Sequence, residues 1–180
     1  MVNIQEPTCF GCPYDLHYNE VLPTKKKGVV MHFGERFCTA GKRARRFKRS
    51  DPKVKVPDWC PKRKFPREMR IYGFKDTMSW LMHEDLCNYM RRDPSPDARH
   101  YALEFELTTP LSPREFLDRS KTESDARLVG VAVHRHHVVE IDDGVKPAFF
   151  YKTREGYRYE PYFDAEQARA NKRKEPEDND

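Results

Sequence analysis

The sequence predicts an α+β protein in two parts: a small four-cysteine N-terminal module, then an α+β domain with a mostly antiparallel sheet and two helices. Three observations predict it. Four of the five cysteines fall between Cys9 and Cys60, two of them as C-x2-C. Residues 101–107 alternate apolar with small or acidic side chains, the period of a half-buried strand. Two helix-start signals, Asp76 and Ser112-Pro113-Arg114-Glu115, separate strand-like runs. The expected divisions are residues 1–66, residues 67–163 and a charged flexible tail over 164–180.

The chain has 180 residues, 37% hydrophobic and 35% charged, with mean hydropathy −0.95. Such polarity excludes one large core, yet 11 Phe, nine Tyr and two Trp allow a core of about 100 residues. No apolar run approaches the ~18 residues of a membrane span, so no membrane partner is expected. Residues 1–6 lack a basic start and an apolar run, so no secretion signal is expected. The cysteines are therefore expected as cytoplasmic thiols or thiolates. Charge is uneven. Residues 42–75 hold 14 Lys and Arg against three acids, a net +11, while the rest of the chain is −6. A basic block on an acidic chain points to an acidic partner, nucleic acid or an acidic protein surface.

A C-x2-C pair presents two sulfurs about one tetrahedral edge apart. Cys9 and Cys12, with Cys38 and Cys60, supply the four ligands that a structural Zn2+ site needs, across gaps of 25 and 21 residues. The module is then zinc-ribbon-like, although the second C-x2-C of a standard ribbon is missing. Four independent thiols and an iron–sulfur cluster are the alternatives, and His17 or His32 can replace a cysteine. Gly11 and Pro13 suit a turn at the first pair. Pro57 and Pro61 suggest an extended conformation around Cys60, with Trp59 over the site. Four protein ligands leave no open coordination position, which argues against an enzyme. Residues 28–33 read as a strand after a turn at 25–28. Lys42, Arg43, Arg45, Arg46, Lys48 and Arg49 form a short basic arm of the kind that follows phosphates, and Phe47 among them can stack on a base.

Cys9-Phe-Gly-Cys12-Pro13, Cys38 and Pro57-Asp-Trp-Cys60-Pro61 together resemble the C-x2-C-P, C, P-x-W-C-P pattern of small zinc-knuckle proteins of bacterial phages and prophages. The resemblance covers about 60 residues. It implies a mobile-element origin, a zinc knuckle and a bacterial host cell; the basic insertion between Cys38 and Cys60 departs from the shorter versions.

In the second part, residues 67–74 read as a strand. The helix after Asp76 is expected from 77 to about 91, with Met78, Leu81, Met82, Leu86, Tyr89 and Met90 as a core stripe. Residues 101–107 follow as a strand with Glu104 and Glu106 on an acidic face. The capping box starts a short helix ending near 121, with Leu111 stapled onto Phe116. A long strand is expected over 128–141, then strands at 148–151 and 157–163. The order βαβαβββ suggests helices on one face of the sheet.

Chemistry is sparse. His134, His136, Glu140 and Asp142 share a face if 128–141 is one strand, but that spreads His134 and Glu140 roughly 20 Å apart, too far for one ion. His83 and Cys87 are four apart on a helix, half a metal site without an evident partner pair. The leading expectation is a non-catalytic, zinc-stapled protein docking on nucleic acid or a nucleoprotein complex. A second is a phage-encoded, anti-CRISPR-type inhibitor of a host defence nuclease, its acidic face mimicking phosphate. A third and weaker one is a metal-dependent nuclease using His134 and His136. The aromatic C-terminal strands also suit pairing across a dimer.

Overall fold

The computed structural model describes residue 4 and residues 7–23 and 30–173. Two compact units emerge, one of Glu6–Arg63 and one of Lys64–Asp180 with Met1–Gln5. The chain is α+β, and the strands of both units pair antiparallel.

In Glu6–Arg63, three strands form one sheet in chain order: β1 (Asp15–Pro23), β2 (Val30–Cys38) and β3 (Arg45–Arg46). Asp15 pairs with Cys38, and Cys38 with Arg45. The expected strand at 28–33 is the start of the longer β2; its partner β1 was not foreseen. The turn at 25–28 and the side chain of His32 lie outside the described residues. Among the described residues of this unit, Cys9, Val56 and Pro57 are the buried apolar side chains. Polar contacts join its segments. Arg36 grips Asp15 through Nε and Nη2, both at 2.7 Å, and donates from Nη1 to the Lys53 carbonyl at 2.6 Å.

The second unit runs β4 (Arg67–Phe74), α1 (Thr77–Met90), β5 (Tyr101–Thr109), α2 (Pro113–Arg119), α3 (Asp125–Leu128), β6 (Val138–Asp142), β7 (Ala148–Thr153), β8 (Gly156–Tyr159) and α4 (Ala165–Ala170). The sheet order is β5-β4-β6-β7-β8. Both helix signals act as expected. Asp76 caps α1 by accepting from the Ser79 amide at 2.7 Å, and Ser112 with Glu115 completes the capping box of α2.

Successive β6 and β7 residues point to opposite faces, and both faces are covered. Val139, Ile141 and Phe150 join Met69, Ile71, Phe116, Leu117 and Leu128 on the α2–α3 side. Val138, Phe149 and Tyr151 join Tyr72, Tyr101, Phe163, Ala165 and Ala168 on the α4 side. Helices on one face only is therefore corrected: each face of β6 and β7 is apolar and needs its own cover. The α4 side also holds buried Glu140, which accepts from Tyr72 Oη, Arg70 Nη1 (3.0 Å) and Arg169 Nη1 (3.1 Å). Two guanidiniums offset the desolvation of this carboxylate.

Other expectations change. Four α-helices stand among the described residues where two were expected. The long strand at 128–141 is instead the end of α3, an irregular stretch and β6, because Gly130 (φ +83°) and a turn over 134–137 break the extended backbone. The strand at 157–163 stops at Tyr159; the start of the tail, which reads as helix-like in the sequence, is α4 over 165–170, anchored by buried Ala165 and Ala168. Alternation in β5 slips where the register shifts between Ile71 and Tyr72. Glu104 thereby turns inward onto Arg173 (2.8 Å) and towards His137 (3.5 Å), and Glu106 meets Arg70 (3.3 Å), so the two do not form a free acidic face.

The largest reversal is α1. Its buried residues are Ser79, His83 and Cys87, while Met78 (63%), Leu81 (44%), Met82 (54%), Leu86 (44%) and Tyr89 (87%) are exposed. The apolar stripe faces outward, and the helix packs through its polar side. Leu81→Ala should therefore change stability by no more than about 0.5 kcal/mol, whereas Phe150→Ala should cost about 3–5 kcal/mol. Urea unfolding of both variants checks this; a large loss from Leu81→Ala would restore the core-stripe reading.

Candidate functional site

The polar face of α1 is where ligating side chains converge. His83 and Cys87 are one helical turn apart and point inward. One ring nitrogen of His83, one of His136 and the Cys87 sulfur lie within 4.8 Å of one another, and all three residues are buried. A His–Cys–His group that can hold a metal ion is thus present. His136 comes from the turn over 134–137, where the His137 amide donates to the His134 carbonyl at 3.1 Å. His136 has φ +74°, a left-handed conformation uncommon outside glycine. Its amide donates to the Lys152 carbonyl at 2.8 Å, which continues the β6–β7 ladder past the strand end.

Hydrogen bonds order the group. Tyr151 Oη lies 2.8 Å from His83 Nε2 and 2.6 Å from His136 Nδ1. His136 Nε2 lies 2.8 Å from Glu84 Oε1. A carboxylate accepts, so His136 carries its proton on Nε2 and its neutral ring accepts at Nδ1. Tyr151 then donates to His136, and His83 Nε2–H donates to Tyr151. Burial pushes the His83 imidazole down to about 4. Burial and then the Arg135 charge lower His136, in agreement with two neutral rings. Burial, then Asp93, raises the Cys87 thiol. Arg135 closes the rim, with Nη2 on Asp93 at 2.5 Å and Nη1 near Glu84 at 3.6 Å.

The sequence shows no evident partner for His83 and Cys87 and suggests His136 beside His134 on a strand. Instead, the turn sends His134 outward, with its ring 5.2 Å from that of His137, and buries His136. His134, His136, Glu140 and Asp142 do not share one site. Glu84 and Tyr151 were missed. The visible signal was His83-Glu84-x-x-Cys87, an i, i+4 ligand pair with an adjacent carboxylate.

In the N-terminal unit all four cysteines are free thiols, as is Cys87. Cys12 N–H donates to the Cys9 carbonyl at 3.0 Å around Gly11 at φ +76°, the tight turn expected for C-x2-C. Cys60 does not sit in extended chain. Its N–H donates to the Pro57 carbonyl (3.1 Å) and its carbonyl accepts from Arg63 N–H (3.0 Å), so two successive turns flank it. The same two turns flank Cys12, whose carbonyl accepts from Asp15 N–H at 3.0 Å. Cys38 ends β2 beside Asp15. Burial raises the Cys9 thiol, and the Cys12 and Cys60 thiols act in the same direction.

The six basic-arm residues Lys42, Arg43, Arg45, Arg46, Lys48 and Arg49 are all exposed. Arg45 stacks over Trp59 at 4.1 Å, and Arg46 pairs with Glu35. Phe47 is not offered to a base, because it packs edge-on against Trp59 (5.1 Å) beneath Arg36 (4.2 Å). Trp59 also donates to Asp51 at 2.9 Å. Among the described residues, Lys42, Arg43 and Arg49 enter no salt bridge.

Comparison with protein-family models, curated proteins and solved structures found no match to the chain.

Two outcomes are expected from these contacts. Tyr151→Phe removes the shared hydroxyl and leaves His83 Nε2–H without its acceptor, so metal-free protein should lose about 1–3 kcal/mol in urea unfolding. Asp15→Asn should cost roughly 2 kcal/mol in the N-terminal unit. The Arg36 hydrogen bond holds the Asp15 carboxyl below its usual value. That contribution is therefore present above about pH 4 and lost as pH falls through the lowered value, where the folded unit also takes up the proton. An Asp15→Asn variant that keeps the wild-type acid profile would contradict this.

Proposed function

We propose that Glu6–Arg63 is a non-catalytic module, stapled by Zn2+ on Cys9, Cys12, Cys38 and Cys60, that docks on nucleic acid or on a nucleic-acid-bound protein complex. The observation that carries the reading is a unit with a strongly basic surface and, among the described residues, few buried side chains. It contains 14 Lys and Arg against six acids. Its buried apolar side chains, among the described residues, are Cys9, Val56 and Pro57. A unit of this size has little area with which to offset chain entropy, and a metal cross-link is one of the few ways to hold it. A structural zinc site contributes folding free energy directly. The paired turns around Cys12 and Cys60 suit two such ligands.

The arm suits phosphate. Lys42, Arg43 and Arg49 are exposed cations, and Arg45 is presented on the Trp59 ring. Phosphate contacts of this kind release counterions and are independent of sequence. A guide-loaded host defence nuclease is one nucleoprotein complex that such a surface would fit. Phosphate mimicry by Glu104 and Glu106 has no support, because both carboxylates already meet arginines.

Salt titration of zinc-replete protein against short duplex DNA tests the reading. Affinity should fall linearly on a log–log plot, by about 0.9 per phosphate contact. The combined Lys42→Glu, Arg43→Glu, Arg49→Glu variant should weaken binding at every salt concentration and flatten the slope by about three such increments. These three are better test sites than Arg45 and Arg46, whose side chains also pack within the unit. Wild-type affinity in the triple variant, or no salt dependence, would reject the arm as the docking surface.

A further inference from the structure

We infer that His83, Cys87 and His136 bind one divalent transition ion of the zinc class, at a buried site in Lys64–Asp180 separate from the four N-terminal cysteines. This inference does not rest on the function proposed above.

Four features lead to it. The donor set is two imidazoles and one thiol, which suits Zn2+ and its neighbours and not the oxygen-seeking Mg2+ or Ca2+. The three ligating atoms already lie within 4.8 Å of one another. His83 and Cys87 are one turn apart on the inner face of α1, a spacing at which both side chains reach one ion. His136 is held as ligating histidines are held, with its Nε2–H on the Glu84 carboxylate at 2.8 Å. That contact fixes the tautomer with a lone pair on Nδ1, which accepts from Tyr151 Oη in the metal-free chain and would exchange that contact for the ion. Tyr151 Oη stands where Nδ1 of His136 and Nε2 of His83 both aim.

Three further facts fit a site and not a filled polar core. His136 keeps a left-handed backbone, and strain of this kind concentrates where side-chain placement matters. Ser79, His83 and Cys87 are the buried residues of α1, so the helix turns its polar face inward while six large apolar side chains stay in solvent. Residues from the helix, the turn before β6 and β7 meet at one point, so an ion there pins α1 to the sheet. Glu84 is a positioning residue: it orients His136 and is not itself a ligand.

The full chain serves for the test. Protein saturated with Zn2+, freed of excess by gel filtration and assayed for metal should carry one more ion per chain in the wild type than in Cys87→Ser. Because both proteins share the N-terminal cysteines, an absent staple there lowers both counts equally and leaves the difference of one ion intact. Equal counts would overturn the site. Should Cys87→Ser fail to fold, cadmium NMR of saturated wild-type protein decides. A resonance in the range of one thiolate with two nitrogens is expected, apart from any four-thiolate signal. Its absence at saturation would overturn the site. Glu84→Gln should keep the ion but bind it roughly 10–100-fold more weakly, as loss of a histidine-orienting carboxylate does; unchanged affinity would remove Glu84 from the site.

Discussion

The hydroxyl of Tyr151 is the contact on which the α1 side of the second unit depends. It accepts from His83 and donates to His136, so one oxygen ties a helix and a turn to the fourth strand of the sheet. An isolated buried hydroxyl or imidazole costs free energy; the same groups linked head to tail satisfy one another. Because the link is directional, it selects which side of α1 faces inward. The helix offers an apolar side and a polar side, and only the polar side has partners at the correct positions.

The two units solve the same problem differently. Lys64–Asp180 places apolar residues on both faces of a five-stranded sheet and adds ion pairs at the margins. Among the described residues, Glu6–Arg63 buries few side chains. Its order comes from short turns, a three-stranded sheet and Arg36, which joins the first strand to the Lys53 segment and lies over Phe47. Removing that guanidinium would leave Asp15 as a poorly solvated carboxylate next to the Cys38 strand end, so the cation supports the surroundings of the cysteines as well as the sheet.

Much of the second unit was readable from the sequence because its signals are local. Asp76 and the Ser112–Glu115 box mark helix starts through their own backbone bonds, and the glycines at 144 and 156 mark the turns of the β6–β7–β8 meander. The failures share a cause of the opposite kind. The stripe of Met78, Leu81, Met82 and Leu86 has the period of a core face, and nothing nearby warns against that reading. What overrides it lies far along the chain, since His83 meets Tyr151 across 68 residues and Glu84 meets His136 across 52. The turn at His136 was equally hidden, because a histidine in a left-handed conformation leaves no glycine to betray it. In the N-terminal unit the C-x2-C turn was legible, while β1 was overlooked, although Leu16 and Tyr18 alternate with Asp15, His17 and Asn19.

Arg45 has a consequence for the speed and geometry of an encounter. A free surface arginine samples many rotamers, and fixing one costs about 0.5–1.5 kcal/mol. Resting on the Trp59 ring, with the indole N–H tied to Asp51, Arg45 has already given up much of that freedom. Lys42, Arg43 and Arg49 have no such support. The arm therefore mixes one pre-set cation with several adaptable ones: the fixed guanidinium sets the angle at which an anion first seats, and the long flexible side chains close around it afterwards.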